Sequence, residues 1–437
     1  MTECNHEAFS FSNCRKRQVK GNFFGDPISS NGGSLLLREV DRRIGLTMAV
    51  ARALGDQRQR GKVRHDVATM VRQRVHAIAL GYEDLNDHDA LRDDLVVQTA
   101  CERDGSLASS STLCRFEQRA ERQWAIAIHR ELLEQFIASF ARPPEELVLD
   151  FDATDDPVHG RQPGRFFHGY YDGYCFLPLY VFCGQQLLVA YLRPSNIDAS
   201  KHAWSILSLL VKRLRQAWPG VRIVFRGDSG FCRHRMLDWC DRNDVRYIVG
   251  LARNAVLERE VQVACEVARD GFEATGAKNR LFHEFQYAAG SWRRTRRVIA
   301  RIEHGPKGRN PRFVVTNLEG EANELYERVY CARGDMENRI KEQQLALFAD
   351  RTSSSKWWTN QYRVLLAALA YTLLETMRRT ALRGTDLARA QCQTLRLRLL
   401  KIGAVVTRNT RTVAVRLSSA CPDQAVFRLL VHRLTAG

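Results

Sequence analysis

Three short segments carry side chains suited to one kind of chemistry. The first, LVLDFDATDDPVHGRQ, starts as an alternating apolar run and sets Asp150 and Asp152 two residues apart. In an extended chain such residues share a face, so a strand here presents a carboxylate at its carboxyl end, where α/β sheets place their sites. The second, VRIVFRGDSGF, repeats the pattern with Asp228 directly after an apolar run. The third, YCARGDMENRIKE, reads as a helix with Tyr330, Arg333, Glu337 and Lys341 at offsets of 0, 3, 7 and 11. At about 100° per residue these form one polar stripe.

Each segment alone has an ordinary reading, as a turn aspartate or a surface ladder of ion pairs. Together, Asp152, Asp228 and Glu337 make an all-oxygen set suited to Mg²⁺ or Mn²⁺, and Arg333 and Lys341 add positive charge where a phosphate would lie. Two such ions about 4 Å apart activate a water or a 3′-hydroxyl on one side of a phosphodiester and stabilise the leaving oxygen on the other. Hydrolysis and strand transfer then differ only in the attacking oxygen.

Such a site needs neighbouring strand ends and a helix laid against them, and the hydrophobic pattern supplies both. ELVLDFD (146–152), GYCFLPLYVFC (173–183) and QLLVAYLRP (186–194) read as strands, followed by an amphipathic helix over 200–218. The strand VRIVFRG, a helix over 232–242 and the strand RYIVGLA (246–252) come next. Three strands able to form hairpins and two that need helical crossovers predict a mixed five-stranded sheet flanked by helices, an α/β fold.

Around that core the chain divides by composition. Residues 1–33 read as a flexible arm ending in SSNGGS, and 34–145 as a helical domain whose clearest helix opens at Asp66 and stops at Gly81. The sheet occupies 146–252, a β-rich insertion 253–320, and two sheet-covering helices 321–380, with Trp357 and Trp358 packing the second. From Arg378 onward there are eleven Arg and one Lys against two Asp, so 381–437 reads as a basic, nucleic-acid-binding tail.

The whole chain of 437 residues carries a net charge of +17, which favours a polyanionic partner. At 45% apolar it is too hydrophobic to be disordered. The longest apolar run, Val364 to Leu374, is about half of a bilayer span, and the first residues do not form a secretory signal, so the chain is expected to stay inside the cell. Twelve cysteines lack C-x-x-C pairs and read as reduced thiols; the C-x-H pairs Cys4/His6 and Cys232/His234 come nearest to a metal motif, and Cys4, His6 and Cys14 could form a zinc set. A phosphate loop is excluded at Gly55–Lys62, where five residues separate the glycines and Val63 stands in place of Ser or Thr.

In this order, LDFDATDDPVHGRQ, FRGDSGF and YCARGDMENRIKE resemble the DDE-type transposases of bacterial insertion sequences, in the branch bearing Y-x-x-R-x-x-x-E, and most closely the insertion sequence 1380 family. The resemblance runs over about residues 30–380. It implies a ribonuclease H-like fold and two Mg²⁺ or Mn²⁺ ions, with Asp152, Asp228 and Glu337 as the catalytic, metal-binding triad. The activity implied is DNA transposition on the element's terminal inverted repeats, by a homodimer on double-stranded DNA in the bacterial cytoplasm and nucleoid. Tyr330 and Arg333 become phosphate-side residues, and Asp150 is the alternative first carboxylate. The signature lysine seven residues after Glu337 is replaced by Gln344, for which Lys341 could substitute. In relatives the insertion clamps the transposon end with a base-stacking aromatic. Trp292, beside Arg293, Arg294, Arg296 and Arg297, is the candidate here, with packing in a small core as its other reading. The alternatives are a nuclease or resolvase that cuts without joining, and a catalytically decayed DNA-binding protein. A covalent serine or tyrosine nucleophile does not explain three acidic motifs.

Overall fold

A computed structural model describes residues 8–436. Its central strand, β1 (Glu146–Ala153), follows from its alternation: Leu147, Leu149 and Phe151 enter one apolar core, so Asp150 and Asp152 face the other way. A slip of one residue would drive both carboxylates into that core. Beside it lie the hairpin β2 (Leu179–Cys183) and β3 (Gln186–Tyr191) on one flank, and β4 (Arg222–Gly227) and β5 (Arg246–Leu251) on the other. β1, β4 and β5 run parallel, and the helices Ala203–Ala217 and His234–Arg242 precede β4 and β5 and pack on the Phe151 face.

The sheet does not stop at five strands. The chain continues into β6 (Asn279–Tyr287), β7 (Arg296–Gly305) and β8 (Arg312–Thr316), and β8 pairs antiparallel with β5. The order is β6-β7-β8-β5-β4-β1-β2-β3, with the two-residue strand Gly308–Arg309 on β7 making nine. The expected five-stranded sheet is therefore corrected. Its far edge would have left the amides of β5 unpaired, and the later segment fills them. Nor is that segment purely β-rich, since it opens with the helices Ala255–Glu260 and Gln262–Thr275. The first is capped by Asn254, whose side chain accepts from the Val256 and Leu257 amides, and the second stops at Gly276 in the left-handed region.

The helix Trp357–Thr376 is apolar on nearly every side because it is enclosed on nearly every side. It lies between β3 and the N-terminal helices, among them Val67–Leu80 and Arg122–Ala138, in one continuous core. Its Gln361 also closes the outer edge of β3: Oε1 accepts from the Leu192 amide at 2.8 Å and Nε2 donates to the Ala190 carbonyl at 3.0 Å. His129 Nε2 accepts the Ala190 amide at 3.2 Å.

Both termini are more ordered than their composition implies. The expected flexible arm contains a hairpin, Phe9–Cys14 with Arg17–Gly21, and Ile28–Ser29 pairs with the strand Ala404–Arg408. The Gly pair at 32–33 marks close packing: a Cβ on Gly33 would lie 1.8 Å from the Leu399 carbonyl oxygen. Cys4 and His6 lie outside the described residues, and Cys14 is exposed and free. The C-terminal region is likewise folded, with Leu395, Leu399, Leu400, Leu430 and Leu434 buried. Many of its arginines are engaged internally, Arg378 with Glu342, Arg379 with Glu375, Arg398 with Asp423, and Arg396 with the Ile78 and Ala79 carbonyls. The region 381–437 is therefore folded, not a loose tail: Arg396, Lys401 and Arg408 tie it to the N-terminal elements, while Arg383, Arg389, Arg411 and Arg416 are exposed with no carboxylate within ion-pair distance among the described residues. Among the described residues, no helix is long and apolar enough to cross a membrane.

Candidate active site

The register of the parallel pair brings the first two carboxylates together. Gly227 faces Phe151 as the last pair of β4 and β1, so Asp152 and Asp228 follow side by side at adjacent strand ends. Asp228 caps the turn Ser229–Phe231, and its Oδ1 accepts the Gly230 amide at 2.9 Å. The third comes from the helix Gly334–Lys341, anchored by the buried Met336 and Ile340, which leaves Arg333, Glu337 and Lys341 facing a cavity. That cavity, of about 700 Å³, is lined by Asp152, Asp228, Glu337, Arg333, Lys341 and Gln344 among others.

Arg333 links two of the acids, with Nη1 3.4 Å from Asp152 Oδ2 and Nη2 3.1 Å from Glu337 Oε1. Burial pushes the Asp152 carboxyl up to about 7; Arg333 opposes this, and the charges of Asp228 and Glu337 add to it. No three His, Cys, Asp or Glu side chains among the described residues converge as a ligand set, and Arg333 stands between two of the candidates. The donor chemistry nonetheless fits hard divalent cations: three carboxylates share one open cavity, and the most buried of them is short of positive charge.

Asp150 has a different environment. Arg226, its direct partner across β1 and β4, holds it in a buried two-pronged ion pair, with Nη2 2.7 Å from Oδ2, and also donates to the Val329 carbonyl. Asp156 is turned inward as well, accepting from the Thr352 hydroxyl at 3.0 Å.

The stripe is not one regular helix. Leu325–Tyr330 is a wide π turn, Cys331–Arg333 a tight 3₁₀ turn, and Glu342–Ala346 a second π turn. Tyr330 therefore sits behind Asp228 and does not line the cavity. A Cβ on Gly250 would lie 2.7 Å from the Tyr330 hydroxyl and 2.7 Å from the Ser229 amide, so only glycine lets this ring brace the Asp228 turn. Gln344 Nε2 donates to the Asp155 carbonyl at 2.6 Å, tying the helix to the loop after β1. Lys341 is exposed beside the cavity with no carboxylate partner among the described residues.

Trp292 and its arginines are not brought to this site. Across the sheet, Asp152 aligns with Gly250, Val314 and Ile299, whereas the β6–β7 turn that carries Trp292 projects from the opposite end of the strands. Four strand spacings, about 19 Å, add to that separation. Trp292 packs on Tyr287 with ring centroids 5.4 Å apart. Arg296 is buried against Asp238 and Asp241, and Arg297 pairs with Glu284 at 2.5 Å, leaving Arg293 and Arg294 exposed. The clamp expected of this segment thus lacks free cations at three of its four arginines, since Arg294, though exposed, also lies 3.8 Å from Asp241.

Sequence reasoning missed the far wall of the cavity, which His168, Tyr170 and Tyr171 form; the Tyr171 hydroxyl donates to the Ala153 carbonyl at 3.4 Å. The aromatic, glycine-punctuated run HGYYDGY was the available signal.

A family model described as Transposase DDE domain group 1 matches residues 11–436. The chain belongs to that family. The match takes in all three carboxylates of this DDE-domain protein and the helices on either side of the sheet. Among solved structures, a piggyBac transposase synaptic complex with hairpin DNA is similar at 11% identity and a TM-score of 0.40, over 84% of this chain and 80% of that one. Comparison with curated proteins gives no match.

Proposed function

We propose that this protein is a transposase that binds the terminal inverted repeats of its own insertion sequence and carries out metal-dependent phosphodiester hydrolysis and strand transfer there. The observation that carries the proposal is the meeting of Asp152, Asp228 and Glu337, from three distant segments, on one cavity with Arg333 and Lys341. We further infer that β3-β2-β1-β4-β5 is a ribonuclease H-like core, on its strand order and its parallel β1, β4 and β5. The three motifs support the insertion sequence 1380 branch, and a homodimer on DNA belongs to the same proposal. Residues 34–145 would bind the element's end, with 253–320 inserted between the two parts of the catalytic core.

Asp152, Asp228 and Glu337 would hold two Mg²⁺ or Mn²⁺ ions. When bound, the ions supply Lewis-acid activation of the attacking oxygen and stabilisation of the leaving one. Arg333 orients Asp152 and Glu337 and offers a planar fork to a phosphate. Lys341 adds an uncommitted charge at the rim, and Tyr330 fixes the Asp228 turn through Gly250.

The test uses the full chain and duplex oligonucleotides from the DNA flanking its gene, with Mg²⁺ or with EDTA. Asp152→Ala, Asp228→Ala and Glu337→Ala should each abolish cleavage and joining while retaining DNA binding. Cleavage surviving in two of the three defeats the assignment. Wild-type cutting without any joined product would make the protein a nuclease.

A further inference from the structure

The helical region holds a second charged cavity that the chemistry above does not use. It is a cleft of about 320 Å³ at the amino ends of two helices, Val67–Leu80 and Ser110–Glu117. Arg58, Lys62, Arg64, Arg92, Arg115 and Arg119 line it. Asp56 pairs with Arg58 at 2.6 Å and Asp93 lies 4.0 Å from Arg92. Among the described residues, Lys62, Arg64, Arg115 and Arg119 have no carboxylate within ion-pair distance, although Arg64, Arg115 and Arg119 are exposed on one rim. The segment GDQRQRGK, rejected above as a phosphate loop, supplies Arg58 and Lys62 to this wall.

Surface arginines alone would not make a site, but the floor of the cleft carries an unsatisfied group. His65 is only 7% exposed, lines the cleft, and its Nδ1 has no hydrogen-bond partner. Buried polar groups normally find partners, so an orphaned imidazole nitrogen in a cationic cleft points to an absent anion. Burial, then Arg103, Arg64 and Arg92, hold the imidazole down to about 4, so His65 is neutral at physiological pH and Nδ1–H can serve as a donor. Asp66 and Asp89 already cap the two helix amino ends, so the positive potential of the cleft comes from its side chains.

We infer that this cleft is a DNA-backbone phosphate site, in which Arg64, Arg115 and Arg119 grip phosphate oxygens at the rim and His65 donates to one from the floor. The inference rests on the transposase reading for its choice of polyanion, and it assigns the DNA contact to residues far in sequence from the acidic motifs. A chain that cuts at one cavity and grips backbone at another can keep hold of a DNA end while the cut strand changes partners.

The experiment compares the full-length wild type with Arg64→Gln/Arg115→Gln/Arg119→Gln, and with a charge-matched control, Arg235→Gln/Arg259→Gln/Arg269→Gln. All six side chains are exposed, so both variants are expected to fold, and thermal melts verify this. Binding of a random 30-base-pair duplex is titrated at several salt concentrations. The cleft variant should lose about tenfold or more in affinity, and its log–log salt slope should fall by about 1–3, whereas the control should change much less. The ¹⁵N resonances of the His65 imidazole should shift on adding duplex to wild type, and inorganic phosphate alone should not reproduce that shift at equal phosphate concentration. Equal losses in the two variants, or a His65 signal indifferent to DNA, overturn the inference. Mg²⁺-dependent cleavage at saturating oligonucleotide is read in parallel. A cleft variant that still cuts but binds with an unchanged slope sinks only the cleft; a wild type that never cuts, yet shows the slope change, leaves the cleft standing and removes the catalytic reading.

Discussion

Asp150 and Asp152 project from the same face of one strand, two residues apart, and have opposite environments: the first is locked to Arg226 in a dry ion pair, the second opens on the cavity. Removing one partner of a buried pair leaves an uncompensated charge. Asp150→Ala should therefore cost about 3–5 kcal/mol in urea unfolding. Asp152→Asn removes a carboxylate crowded by Asp228 and Glu337, so it should melt no lower than wild type while losing all cleavage. A reversed order of stabilities would mean that the two roles have been exchanged.

Arg333 spans Asp152 and Glu337 with two different nitrogens, a geometry a lysine cannot reproduce. Both Arg333→Lys and Arg333→Ala should lower single-turnover cleavage by about tenfold or more, equivalent to about 1.4 kcal/mol of barrier. Full activity in the lysine variant would reduce Arg333 to a simple point charge.

Gly250→Ala pushes a methyl group against the Tyr330 hydroxyl and the Ser229 amide. Overpacking of this kind should cost about 1–3 kcal/mol, with cleavage impaired through the displaced Asp228 turn. Tyr330→Phe in the same chain should return part of the stability, because one of the two close contacts disappears. Strict additivity in a double-mutant cycle would contradict the proposed contact.

Acid should loosen the helical region before the sheet. Burial holds His76 down to about 4 and also lowers His129, whose Nε2 must stay unprotonated to accept the Ala190 amide. The folded pKa lies below the unfolded value in each, so below about 6.5 the unfolded chain binds more protons and stability falls as pH falls. The slope should approach about 1.4 kcal/mol per pH unit for each histidine that titrates only on unfolding. His76→Gln should flatten the profile of denaturation midpoint against pH between 6.5 and 4, and an unaltered profile would show that this histidine is already charged in the native state.

What could be read from the sequence was local. Alternation around Asp152, the apolar run before Asp228 and the anchoring spacing of Met336 and Ile340 each specify an element and the side chain it presents. Partners distant along the chain were not legible. Nothing near Arg296 in sequence announces Asp238 and Asp241, so the count of positive charge overstated what that segment can offer DNA. The extension of the sheet was hidden for the same reason, since the pairing of Val249 with Val315 spans a stretch that begins with two helices. The tight 3₁₀ turn Cys331–Arg333, which separates Tyr330 from the signature helix, leaves no mark in residue spacing.

The side chains of Gln361 and His129 occupy the hydrogen-bonding groups along the outer rim of β3. A sheet blocked in this way cannot recruit a neighbour's strand on the flank nearer the acidic residues. In the proposed assembly of copies on DNA, contact at this rim would have to be made through helices, loops or the DNA itself and not by strand addition.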